Sequence, residues 1–229
     1  MAKDIQTKIF EFFARRSRFV IRLFLVVYIL ILALVVVGSN LSLSDPKQTV
    51  FFYDIGKKAG QVGILLLGVI VLPGILGRFR IEIKLTRIIT LFRRQLGITF
   101  FLLSFVHYHF VRGLALYSTK SSPFEGLLPF MIVGLSAFTI FFFMFLTSNN
   151  FSVGRLRKWW KYLHRMIYVA LWLLVLHVGL QRISVWTIFI GTFAVLEVLS
   201  WVYYLLSKKD LNKTTGSAAS GGDSGSGQS

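Results

Sequence analysis

Six runs of apolar residues alternate along the chain with short stretches rich in arginine and lysine. About 20 apolar residues in a helix cross the hydrocarbon core of a bilayer, and most of these runs reach or approach that length. The pattern therefore predicts an all-α membrane protein, a bundle of six transmembrane helices. The second run is short and contains Pro73, which we expect to kink or end its helix. The predicted spans are Phe19–Val37, Gln61–Leu76, Leu96–Leu116, Leu127–Leu146, Lys161–Leu180 and Ile183–Leu206.

The charges between the apolar runs predict how the chain is oriented. The N-terminal stretch and the second-to-third and fourth-to-fifth connections are strongly basic, whereas the connection from 38 to 60 and the other two hold fewer cations. Basic connections stay on the cytoplasmic side. Both termini are therefore predicted to be cytoplasmic, in a multi-pass protein of the bacterial cytoplasmic membrane. The basic connections contain Lys3, Lys8, Arg15, Arg16, Arg18, Arg78, Arg80, Lys84, Arg87, Arg93, Arg94, Arg155, Arg157, Lys158 and Lys161.

The two ends of the sequence differ from the six-helix domain predicted at 19–206. Residues 1–18 form a basic leader in which Ile5, Ile9, Phe12 and Phe13 would share one side of an interfacial helix. A disordered leader is the alternative. Residues 207–229 are polar and become rich in Gly, Ser and Ala, so we expect a flexible tail there. We expect no nucleotide- or flavin-binding domain within this sequence.

Composition narrows the chemistry that the chain can perform. Hydrophobic residues make up 55% of the 229 residues, and the formal net charge is +17. In a soluble protein that charge would suggest nucleic acid as a partner, but here membrane topology and anionic lipid headgroups account for it. The sequence contains no cysteine. Thiol catalysis, disulfides, iron–sulfur clusters and thiolate-bound metals are therefore excluded.

The histidines are the candidate cofactor ligands. An ionisable side chain is costly inside a membrane and often marks function, although any single histidine could merely hydrogen-bond a neighbouring helix. His107 follows Arg94 by 13 residues, about 20 Å of helix, and His177 follows Lys161 by 16 residues, about 24 Å. These two would lie at similar depths, as bis-histidine ligation of haem iron requires. The four histidines all lie in the third and fifth predicted helices: His107, His109, His164 and His177.

The remaining two histidines have less direct assignments. His109 lies about 200° around the helix from His107, so we expect it to face lipid or another helix. His164 lies near the cytoplasmic end of the fifth helix. A second haem would need a partner for His164 at the corresponding position of the third helix, where Arg94 stands. The residues therefore support one haem better than two.

Short motifs between residues 93 and 178 follow one another in a characteristic order. They are Arg93–Ile98 (RRQLGI), His107 ten residues after Gly97, Thr147–Ser148, Trp160–Arg165 (WKYLHR), Tyr168 and His177. In this order and spacing they resemble the ferric-reductase-like transmembrane domain family and, within it, the bacterial MsrQ (YedZ) haem-binding subunits. The resemblance covers roughly residues 60–205.

The resemblance implies haem b held by His107 and His177, with His164 as a further ligating or functional histidine. It also implies an electron-transfer subunit of an oxidoreductase system. Electrons would enter from a cytoplasmic flavin reductase or from quinol, and would leave to an extracytoplasmic reductase or another acceptor.

Other charged residues allow more than one interpretation. Arg112, five residues after His107, could neutralise haem propionates or extend to the membrane interface. Glu197 could relay protons, contact quinone or hydrogen-bond a neighbouring helix. One basic group could hold the phosphate of FMN or a reductase surface, although topology alone accounts for its charge: Arg94, Arg155, Arg157 and Lys158.

Two functions without redox chemistry compete with electron transfer. The first is a transporter or channel whose histidines and Glu197 line a path for protons or metal ions. The second is a structural subunit that holds a partner on its basic face. The presence of haem would distinguish electron transfer from both.

Overall fold

The computed structural model describes residues 2–81, 83–120, 122 and 126–220, and the regular structure within these ranges is entirely helical. The spanning helices are joined by short helices near their ends. In chain order the helices are α1 Ala2–Arg15, α2 Ser17–Ser44, α3 Pro46–Arg78, α4 Lys84–Leu91, α5 Arg93–Tyr108, a π-helical turn His109–Gly113, α6 Leu114–Thr119, α7 Pro129–Leu146, α8 Asn150–Leu156, α9 Lys158–Arg165, α10 Ile167–Gln181 and α11 Val185–Ser220.

Six of the described helical segments are long and apolar enough to cross a membrane, which confirms the predicted number of spans. They are α2, α3, α5 together with the π turn and α6, α7, α9 together with α10, and α11 as far as Lys208. The chain is thus an all-α, multi-pass membrane protein. Six crossings bring both ends of the chain to the same side. That this side is the cytoplasm remains a prediction from charge.

The second span begins earlier than predicted and continues through Pro73. The Asp45 side chain accepts a hydrogen bond from the Lys47 N–H at 3.0 Å, and Pro46 lies in the first turn, where proline favours the start of a helix. The stretch 46–60, expected as part of a loop, is therefore the first half of α3. The helix ends only at Arg78, and an internal proline of this kind is tolerated in membrane-spanning helices.

Two apolar clusters hold the bundle together. The larger one joins α3, α5, α7, α10 and α11, and six of its described residues have no exposed surface: Leu67, Ala137, Ala170, Leu171, Ile190 and Ala194. The smaller one joins α3 to α5, the π turn and α6: Phe52, Ala59, Val106, Phe110 and Leu114. His107 directly follows Val106. The smaller cluster therefore borders the candidate site.

The helix that carries His107 changes its winding soon afterwards. A π turn replaces α-helix at His109–Gly113, and α6 then ends where Lys120 adopts a left-handed conformation with φ of 53°. Single π turns inside α-helices are frequent at functional sites.

Both ends of the described chain are helical. The predicted leader contains α1, which stops at Arg15, one residue before α2 begins. At the other end α11 continues to Ser220, and residues 221–229 of the predicted tail lie outside the described residues.

Candidate functional site

His107 on α5 and His177 on α10 face each other inside the bundle. Their ring centroids are 6.3 Å apart, and the ring planes are inclined at 80°. Both side chains are partly buried. The structure thus brings together the two histidines that lie at similar predicted depths, although 70 residues separate them in sequence.

Backbone carbonyl groups fix the orientation of both rings. His107 Nδ1 is 3.0 Å from the carbonyl oxygen of Gly56, and His177 Nδ1 is 2.7 Å from that of Phe130. Because a carbonyl oxygen can only accept, each Nδ1 must carry the hydrogen and donate it. In an uncharged ring the lone pair then lies on Nε2, which is the nitrogen free to bind a metal.

Glycines on the neighbouring helices allow the two rings to lie where they do. A Cβ atom added at Gly60 on α3 would lie 2.8 Å from His107 Nδ1, and one added at Gly134 on α7 would lie 2.7 Å from His177 Cε1. Real Cβ atoms essentially never approach other atoms so closely. The site is therefore built from four helices: α5 and α10 supply the rings, while α3 and α7 supply the carbonyl acceptors and the space.

The distance between the rings suits one iron ion bound by both. Metal–imidazole nitrogen bonds are about 2 Å long, so two of them in line, with the half-widths of two five-membered rings, put the centroids roughly 6 Å apart. The observed 6.3 Å agrees with this value. Within the described residues there is no group of three or more His, Asp or Glu side chains that could hold a metal ion. The chemistry of the site therefore depends on two facing imidazoles.

His109 points away from this pair. Its Nε2 is 2.7 Å from Ser39 Oγ on α2, and the Ser39 hydroxyl also lies 2.6 Å from the carbonyl oxygen of Val35. Since the hydroxyl gives its one hydrogen to that carbonyl, His109 Nε2 donates to Ser39. The ring also stacks on Phe105 at 5.9 Å. His109 thus contacts a neighbouring helix, one of the two environments expected for it.

The structure does not bring His164 to the pair. His164 lies on α9, 13 residues before His177, or about 20 Å of helix. Its Nδ1 is 3.1 Å from the carbonyl oxygen of Trp160, and its ring stacks on the Trp160 ring at 4.0 Å. The indole nitrogen of Trp160 donates in turn to the Thr147 carbonyl oxygen at 3.0 Å. Trp160 therefore anchors His164 close to the end of α7.

The remaining candidate residues are distributed over both ends of the bundle. Arg112 lies in the π turn and is partly buried. Arg94 is a charged neighbour of His164 and donates to Asn150 Oδ1 at 2.9 Å, which ties α5 to α8. The rest of the basic group predicted to bind FMN or a reductase lies at the junction of α8 and α9: Arg155, Arg157 and Lys158.

Glu197 forms a buried ion pair with Arg78. Arg78 Nη1 is 2.9 Å from Glu197 Oε1, and the two side chains are only 12% and 6% exposed. Arg78 also donates to the Tyr168 hydroxyl at 3.2 Å, and its guanidinium lies over the rings of Tyr168 and Trp201. Arg78, which sequence analysis counted as a connection cation, is therefore an interior residue of the last turn of α3. Through this ion pair Glu197 joins α11 to α3.

Four features of this region were not predicted from the sequence: Gly56, Gly60, Gly134 and the partner of Glu197. Gly56 and Gly60 are four residues apart, so they lie on one face of α3, and that spacing was a usable signal. Gly134 is surrounded by apolar residues and gave no signal. The pairing of Arg78 with Glu197 joins residues 119 positions apart and had no local pattern.

The spanning helices and the facing imidazoles define a class of molecule, a polytopic helical membrane protein with a histidine pair in its interior. Residues 59–175 match the family model described as ferric reductase like transmembrane component. Because this match covers just over half of the 229 residues, the chain belongs to that family. The matched region contains His107 and His164, and His177 lies two residues beyond its end.

A curated relative supplies a second comparison. Over 98 residues, 41% of this chain, the sequence is 33% identical to the protein-methionine-sulfoxide reductase heme-binding subunit MsrQ of Agrobacterium fabrum. The aligned region covers 45% of that protein, so the chain matches less than half of its length. No solved structure matches the chain significantly.

Proposed function

We propose that this protein binds haem b between His107 and His177 and carries electrons across the membrane as a subunit of an oxidoreductase system. The observation that carries the proposal is the facing pair of rings, 6.3 Å apart, with both Nδ1 atoms engaged by backbone carbonyls. The family match and the name of the Agrobacterium fabrum relative, a heme-binding subunit, support it.

Each part of the site has a physical role in this function. Bound haem would supply one-electron chemistry, with a potential set by its axial ligands and their surroundings. His107 and His177 would hold the haem iron through their imidazole nitrogens. The Nδ1 hydrogen bonds to Gly56 and Phe130 hold each ring in one tautomer and make Nε2 a more basic ligand. The apolar helices around the site would limit the access of water to the bound group.

The number of cofactors is also part of the proposal. One haem fits the His107–His177 pair. His164 is proposed as the ligand of a second haem or as a functional residue at the predicted cytoplasmic face, near Arg94. Arg112 would pair with haem propionates. FMN is a further candidate, with its phosphate near Arg94, Arg155, Arg157 and Lys158.

The donor and the acceptor are part of the proposal. A cytoplasmic flavin reductase or quinol would donate electrons, and an extracytoplasmic reductase, of the kind named for the Agrobacterium fabrum relative, would accept them. The transporter alternative loses support because Glu197, its proposed acidic group, is engaged by Arg78 in a buried ion pair.

Visible spectroscopy tests the proposal. The full-length protein, purified in detergent from haem-replete cells, should show a Soret band and, after reduction with dithionite, α and β bands. His107→Ala and His177→Ala should each remove most of this absorbance, because one imidazole cannot hold bis-histidine haem. His109→Ala is the matched control and should retain it, since that ring bonds Ser39. A wild-type protein without haem would refute the function, and full haem in His107→Ala would refute the ligand assignment.

A further inference from the structure

The short helices α1 and α4 form a surface layer beside the bundle. They contact each other, and the Phe13 and Phe92 rings lie 6.3 Å apart in an edge-to-face arrangement. Phe92, only 6% exposed, also contacts Phe24 of α2 at 6.3 Å. One residue separates α1 from α2, and one residue separates α4 from α5. The layer must therefore lie where these two spanning helices leave the membrane.

The position of this layer follows from topology alone. α1 precedes the first span, and α4 lies between the second and the third. Two crossings return the chain to its starting side, so α1 and α4 lie on the same face of the membrane. The charge pattern predicts that this face is cytoplasmic, where the leaflet carries anionic lipid.

The exposed side chains of the layer are of two kinds. Apolar side chains are exposed on both helices, among them Phe12 at 50% and Leu85 at 58%. In the sequence, residues 1–18 and 80–91 carry more cations than acids, the acids being Asp4, Glu11 and Glu82. The cations are Lys3, Lys8, Arg15, Arg16, Arg18, Arg80, Lys84 and Arg87. Helices that combine exposed apolar residues with Lys and Arg lie in the headgroup region and bind anionic lipid.

A crevice of about 360 Å³ opens between the layer and the spanning helix α3. Its lining is apolar except for one guanidinium and two hydroxyls: Phe10, Pro73, Thr86, Arg87, Thr90 and Leu91. Thr86 and Thr90 donate their hydroxyl hydrogens to the Ile83 and Thr86 carbonyl oxygens. The crevice therefore combines the guanidinium of Arg87 with apolar surface, the two chemistries that the phosphate and an acyl chain of one phospholipid would contact.

From this arrangement we propose that α1 and α4 form a specific binding site for an anionic phospholipid. Its phosphate would lie beside Lys84 and Arg87 of α4, and an acyl chain would follow the crevice past Phe10 and Pro73. The site is independent of the haem proposal, because none of its residues belongs to the histidine site.

The test compares lipids that share their acyl chains. Native mass spectrometry of the full-length protein in detergent should detect bound phosphatidylglycerol in preference to phosphatidylcholine. The variant Lys84→Gln/Arg87→Gln should bind phosphatidylglycerol roughly twentyfold more weakly, because each surface cation contributes about a factor of five. The variant Lys161→Gln/Arg165→Gln removes the same two charges from α9 on the same side of the membrane, and it should bind phosphatidylglycerol as the wild type does.

Three results would overturn the proposal. They are equal retention of both lipids by the wild type, equal loss in the α4 and α9 variants, and complete displacement of phosphatidylglycerol by millimolar inorganic phosphate. Far-ultraviolet circular dichroism and elution volume show whether each variant has folded. If the α4 variant does not fold, the comparison of phosphatidylglycerol with phosphatidylcholine on the wild type still tests the proposal.

Discussion

Backbone atoms and glycines hold the two histidine rings in place. Among the described residues no acidic or hydroxyl side chain bonds the His107 or His177 ring; the carbonyl groups of Gly56 and Phe130 orient these rings. The histidines themselves could be singled out from the sequence, because the basic connections fix the ends of the helices and so the depth of each residue. The carbonyl groups that bond them could not be singled out, because every residue has a carbonyl group and it leaves no mark in the sequence.

Adding a methyl group beside either ring should weaken cofactor binding. In Gly134→Ala the new Cβ would contact the His177 ring, and in Gly60→Ala it would contact His107 Nδ1. We expect each variant to retain haem about tenfold more weakly, as is common when the groups that orient a metal ligand are disturbed. Titration of the purified apoprotein with hemin measures the effect.

Gly191→Ala on α11 is the control, since an added Cβ there meets nothing within 4 Å. Equal haem affinity in all three variants would show that the glycines do not shape the site.

At the scale of the helices, the number of spans could be predicted but the length of α3 could not. Asp54, Lys57 and Lys58 made residues 46–60 look like a polar loop. In the structure Lys57 Nζ lies 2.7 Å from Asp54 Oδ1, and this pair, three residues apart on the helix, remains about half exposed. The two charges compensate each other on one face while Phe52 and Ala59 are buried on the other. The hydropathy of this stretch is an average over both faces, so it does not reveal that one face is apolar and buried.

The ion pair of Arg78 with Glu197 should stabilise the association of α3 with α11. Glu197→Gln leaves the Arg78 charge buried without a counter-charge, and we expect a cost of about 3 kcal/mol, the range for breaking a buried pair. The fraction of protein that stays monodisperse after heating in detergent reports this loss. Arg78→Met/Glu197→Leu removes both charges and should be more stable than the single variant.

Lys57→Gln is the matched control, because its ion pair with Asp54 is about half exposed and exposed pairs contribute little to stability. If Glu197→Gln and Lys57→Gln had the same effect, the buried pair would not be a stabilising feature of the bundle.

The arrangement of the whole molecule combines six crossings with an asymmetric charge distribution. The number of crossings places α1, α4, α8 and the end of α11 on one side, and the basic residues predict that this side is the cytoplasm. Contacts between distant helices determine the rest. Sequence patterns locate each helix along the chain, but only packing decides that α10 lies against both α7 and α11.

Reporter fusions test the predicted orientation. Green fluorescent protein joined to the C-terminus should fluoresce, and alkaline phosphatase at the same point should be inactive, because both report a cytoplasmic end. Alkaline phosphatase inserted between α6 and α7 should be active, since three spans separate that connection from the N-terminus. The opposite pattern would reverse the topology, and with it the proposed direction of electron flow.

The carbonyl acceptors of the histidine pair have a consequence for mutational tolerance. A side-chain partner can be deleted by one substitution, but the acceptors at Gly56 and Phe130 are main-chain atoms that every amino acid possesses. A saturation scan read by haem content should therefore be severe at the two histidines and at Gly60 and Gly134. At Phe130 it should be permissive, since Leu or Met keeps the same acceptor. A substitution at Gly56 or Phe130 therefore keeps the acceptor that sets the tautomer of each histidine ring. A substitution at Gly60 or Gly134 instead adds a side chain where the ring leaves no room for one.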